Sequence, residues 1–69
     1  MAREKAHIIV MKNGVPLGYV KGVSYTKQKF SMTQSKMDAK GYTKVDAVHA
    51  EIDFLTKISA HQGYVFIYD

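Results

Sequence analysis

The stretch Thr43 to Asp69, TKVDAVHAEIDFLTKISAHQGYVFIYD, decides the fold. Its first part, Thr43 to Gln62, reads as one helix. Val45, Val48, Ile52, Leu55 and Ile58 recur at helical spacing and make a single apolar stripe. Asp46, His49, Asp53 and Lys57 fall opposite, and Glu51 sits at the stripe's edge. Thr43 suits the N-cap. Asp46, three residues on, completes a capping-box-like pair and favours the positive end of the helix dipole. Asp53 and Lys57 stand in the favourable i, i+4 order, worth about 0.2–0.5 kcal/mol. Gly63 suits the left-handed residue just past the helix. Tyr64 to Asp69 then reads as a strand. Tyr64, Phe66 and Tyr68 alternate with Val65 and Ile67, so both faces ask for cover, as in an inner strand. Coming straight after a helix, it returns beside an earlier strand, by a right-handed crossover if the pair is parallel.

Working back toward the start, Ala6 to Lys12 is β-branched and ends at Asn13-Gly14, a strong two-residue hairpin signal. That turn sets Lys12 opposite Val15, Val10 opposite Leu17 and Ile8 opposite Tyr19. Ile8, Val10, Leu17 and Tyr19 then share one face, with His7, Ile9, Met11 and Val20 on the other. Pro16 cannot donate to a ladder, so the second strand should be an edge at that point. Gly18 and Gly22 weaken or bend it, and Gly22 suits a bulge. Gln28 to Gln34 reads as a third strand, with Phe30 and Met32 on one side and Lys29, Ser31 and Thr33 on the other. Ser35 to Gly41 is a connection.

These readings give an α+β fold, β-β-β-α-β, with one amphipathic helix packed on one face of a small antiparallel or mixed sheet. The helix stripe meets Val10, Leu17, Phe30 and one side of the last strand. The other sheet face stays open, which suits a dimer contact or a partner.

Composition bounds the rest. The chain has 69 residues and no cysteine. At this length folding hides only about 60% of the surface of the unfolded chain, and no disulfide or thiolate metal site can help. The lack of cysteine fits a reducing cytoplasm. With 46% hydrophobic and 23% charged residues the chain reads as one folded domain, 1–69. Its longest apolar run, Ile8 to Met11, is far short of the ~20 residues of a membrane span and too short for a signal-peptide core. Charge is uneven. Residues 1–42 hold eight basic and two acidic groups, and residues 43–69 two basic and four acidic. Such asymmetry marks a polyanion or an acidic protein surface as partner, or only lysines that solubilise a small sheet and guard its edges.

Chemistry finds little footing. His49 and Asp53 share a helix face, but that face is polar and no second histidine joins them, so no metal site is expected. No nucleophile elbow or phosphate loop is present, which argues against an enzyme and against a bound cofactor. The basic hairpin and third strand offer more. Lys12, Lys21, Lys27 and Lys29 interleave with Tyr19 and Tyr25. This set suits a protein partner through charge and aromatic anchoring. Its alternative is single-stranded nucleic acid, with rings for bases and cations for phosphate. Against nucleic acid, the chain has one arginine, Arg3, and lacks the RNA-recognition submotifs.

The order KFSMTQSKMDAKGYTKVDAVHAEIDFL, Lys29 to Leu55, followed by GYVFIYD, resembles small accessory proteins of Gram-positive phages and prophages. The resemblance covers about two-thirds of the chain and carries no catalytic residue. It implies a bacterial cytoplasm, with a host or phage protein as partner.

Overall fold

The structure, a computed structural model, describes residues 5–68. Arg3, Glu4 and Asp69, which entered the charge tally, lie outside the described residues. β1 (Ile8–Lys12), β2 (Val15–Ser24) and β3 (Lys29–Thr33) are followed by α1 (Val45–Ile58) and β4 (Val65–Tyr68). Short 3-10 turns cover Lys36–Asp38 and Ala60–Gln62. The sheet has the order β3-β2-β1-β4, and every pair is antiparallel. The chain is thus α+β, with α1 carrying it from one sheet edge to the other. β4 returns beside β1 without a parallel crossover. It is an edge strand, although its composition reads as an inner one.

The first hairpin turns as its sequence asks. Asn13 and Gly14 both take positive φ, 54° and 78°, and Lys12 pairs with Val15. The register then slips, because Met11 pairs with Pro16 but Val10 pairs with Gly18. Leu17 is the extra residue of a bulge. One residue of slip exchanges the faces beyond it. Ile9, not Ile8, therefore stands opposite Tyr19. Val20 joins Ile8 and Val10 in the core, all fully buried, while Leu17 is exposed. The gap at Gly18 is filled by backbone, since a Cβ there would lie 2.9 Å from the Thr33 carbonyl oxygen. A second slip falls between Val20 and Gly22, beside the glycine that suited a bulge, and leaves Lys21 unpaired. At Pro16 the strand pairs only with β1, because β3 joins β2 from Tyr19 onward. The missing donor thus faces no ladder.

α1 is shorter than its sequence pattern. It starts after Lys44, which takes the N-cap with extended backbone and no side-chain cap bond. Thr43 does not cap. The preceding residue explains this, because the Tyr42 amide and carbonyl both bond to Ala6 and hold the chain extended up to the helix. At the other end the Ser59 hydroxyl donates back to the Leu55 carbonyl at 2.6 Å. The final turn tightens to 3-10 geometry before Gly63 leaves it with φ 75°. Val48 and Leu55 reach the core with Ile8, Val10, Val20, Tyr42 and Phe66, while Val45 is exposed. The three aromatics of the last strand settle on the helix side. Phe30 of β3 meets Phe66 at 5.5 Å and Tyr64 at 6.0 Å between ring centres. A flat sheet would hold β3 and β4 three spacings apart, about 14 Å. Ring contact between the two outer strands therefore requires a sheet coiled toward α1.

Candidate functional site

Two features stand out. The first is a buried carboxylate. Glu51 is only 4% exposed and sits one helical turn from Val48 and Leu55. A lone buried carboxylate would be very costly, so it must be matched by donors. The Tyr42 hydroxyl donates to it at 2.7 Å, Lys40 Nζ at 2.9 Å, and the Tyr25 hydroxyl from the β2–β3 loop. Lys40 Nζ also lies over both tyrosine rings. Burial pushes the Glu51 carboxyl up, but the three donors together outweigh it and hold it below its ordinary value. Bonding to Glu51 raises Lys40. Burial, then the bond to Glu51, drives the Tyr42 hydroxyl far above its ordinary value. The carboxylate is thereby held ionised and the phenol protonated around neutral pH. A general acid or base works best with a value near the operating pH, and both groups are tuned away from it. The cluster ties the β2–β3 loop and the segment Lys40–Tyr42 to α1.

The second feature is the sheet face turned away from α1. The row Thr33–Tyr19–Ile9–Ile67 crosses the four strands, and Met11 with Val65 forms the next row. Val65 is 55% exposed and Ile67 43%, and no described element covers them. Tyr19 packs edge-on against His7 in the same layer, at 6.4 Å. The His7 Nδ1 is buried there without a hydrogen bond among the described residues.

The six residues singled out in the sequence do not share this face. Tyr19 lies on it. Tyr25 lies on the helix side, its ring against Phe54 at 5.0 Å and its hydroxyl on Glu51. Lys12 also turns to the helix side, over the Tyr64 ring at 5.7 Å. Lys21 projects from its bulge. Lys27 and Lys29 alone come together, around a hollow at the β2–β3 end with Ser24 and Ser31. His49 does not join Asp53 and sits edge-on against Tyr68 at 5.4 Å. Glu51 was visible in the sequence only as a carboxylate at a stripe's edge. Its donors lie 9 to 26 residues away, so spacing could not find them. No helix among the described residues is long and apolar enough to cross a membrane. No family model matches this chain, and no curated protein or solved structure is significantly similar to it.

Proposed function

We propose that this chain is a small non-enzymatic interaction protein that binds a partner protein through the uncovered sheet face, with Tyr19 at its centre. The observation that carries the reading is the uncovered pair Val65 and Ile67, continuous with Ile9, Met11 and Tyr19. Clustered apolar side chains of this kind mark contact surfaces, and a tyrosine within them adds area at low entropic cost. The resemblance to phage accessory proteins supports a host or phage protein as the partner, in a bacterial cytoplasm.

The test is affinity capture from bacterial lysate with the wild type, Met11→Lys and Ile67→Lys. A protein retained by the wild type and lost from both variants supports the reading. A protein retained equally by all three sinks it. Anisotropy titrations of labelled single-stranded DNA and RNA address the alternative. Micromolar binding that falls steeply with salt would put nucleic acid in front.

A further inference from the structure

β3 is a free sheet edge. Among the described residues it pairs only with β2, and no backbone–backbone hydrogen bond joins Lys29–Thr33 to a group outside the sheet. Such an edge is a template for another strand. It is flanked by an unfilled hollow on the helix side. Lys29, Phe30 and Met32 form one wall, and Ile58, Gln62 and Tyr64 at the end of α1 form the other. Met32 is 43% exposed into it. Lys29 also borders the second hollow, with Lys27, Ser24 and Ser31. Among the described residues neither lysine has a carboxylate partner.

A strand laid along β3 would alternate its side chains between these two environments. On the helix side they would enter the hollow walled by Phe30, Met32, Ile58 and Tyr64. On the other they would face the two unpaired ammonium groups. We propose that β3 receives an extended segment of a partner protein by strand addition. The segment carries apolar residues at alternate positions and acidic residues between them. Main-chain hydrogen bonds supply affinity, and the hollow reads the apolar side chains. The lysines repel basic strands and attract acidic ones, which gives specificity by repulsion as well as attraction. This site lies along the β3 edge, at the opposite end of the sheet from Val65 and Ile67 of β4, and does not depend on them.

The test uses the full chain and a fluorescein-labelled peptide alternating Val or Ile with Asp or Glu. A scrambled peptide of the same composition and a peptide with Lys in place of the acids serve as controls. Low-salt anisotropy should show saturable binding of the alternating peptide alone. NMR hydrogen exchange should show new protection of the outward amides of β3. Lys27→Glu/Lys29→Glu, at exposed positions, should keep the circular dichroism of the wild type and weaken binding about tenfold or more, as expected when two close charge contacts become repulsive. The same variant should gain binding to the Lys peptide. Equal binding of the scrambled peptide, protection on β4 instead of β3, or no binding at millimolar peptide would overturn the proposal. Met11→Lys should leave peptide binding unchanged, so failure here and failure of the sheet-face reading can be told apart.

Discussion

At the scale of single residues, Glu51 is the most consequential side chain. Replacing it by Ala strands the buried Tyr42 hydroxyl along with Tyr25 and Lys40. Hydrogen bonds to a charged group are worth about 1.5–3 kcal/mol, so Glu51→Ala should cost at least about 2 kcal/mol in urea unfolding. For a domain of this size the melting point should fall by about 8–16 °C. The folded carboxyl lies below its ordinary value of 4.5. Its contribution is therefore complete above that value and is lost as pH falls through the lower, folded one. Lys40 and Tyr42 are both raised, so their contributions are complete below their ordinary values of 10.5 and 10.0 and fade as pH rises through the folded ones. The urea midpoint should stay level between these limits and drop on the acid side. Glu51→Gln should flatten that acid drop. None of this was legible in the sequence, because a carboxylate at the margin of an apolar stripe looks the same whether or not distant loops supply its donors.

At the scale of elements, three glycines separate backbone strain, close packing and the absence of both. Gly14 has open space around it but φ of 78°. Gly14→Ala should cost about 1–2 kcal/mol through backbone strain alone. Gly18→Ala would press a Cβ to 2.9 Å from the Thr33 carbonyl oxygen and should loosen the β2–β3 pairing, seen as faster exchange of β3 amides. Gly22 has neither constraint, so Gly22→Ala should be neutral or stabilise by about 0.5 kcal/mol. Thr43 is a further contrast. A working N-cap threonine costs about 1 kcal/mol when lost, whereas Thr43→Ala should stay within about 0.5 kcal/mol. The turn at Asn13-Gly14 was legible because its chemistry is local. The bulge at Leu17 was not, because Val-Pro-Leu-Gly-Tyr-Val alternates in no clear phase, and its parity is settled by which side chains the core accepts.

At the scale of the whole molecule, the helix can cover only one face of the coiled sheet. Leu55 is fully buried beneath it, and Ile67 is 43% exposed on the far side. Leu55→Ala should therefore cost about 2–5 kcal/mol. Ile67→Lys should shift the urea midpoint far less, although it places a charge in an apolar-looking strand. A loss from Ile67→Lys as large as that from Leu55→Ala would mean that the face is covered. β4 shows why composition misplaces a strand. Its aromatic side is satisfied by α1 and Phe30, while its aliphatic side and outer edge have no cover among the described residues.

The sequence by itself determined the element types and their order, the first hairpin turn, the helix stripe and the lopsided charge. Each of these rests on interactions within a few residues, where spacing and backbone preference decide. Only the tertiary structure decided that Val20 goes inward and Tyr19 outward, that β4 ends the sheet, and that Glu51 gathers Tyr25, Lys40 and Tyr42. It also separated Tyr25 and Lys12 from Tyr19, and brought the edge of β3 beside the end of α1. Those outcomes depend on register and on contacts between distant segments. One inserted residue reverses a strand's faces, and a buried charge chooses its partners from whatever the fold brings within reach.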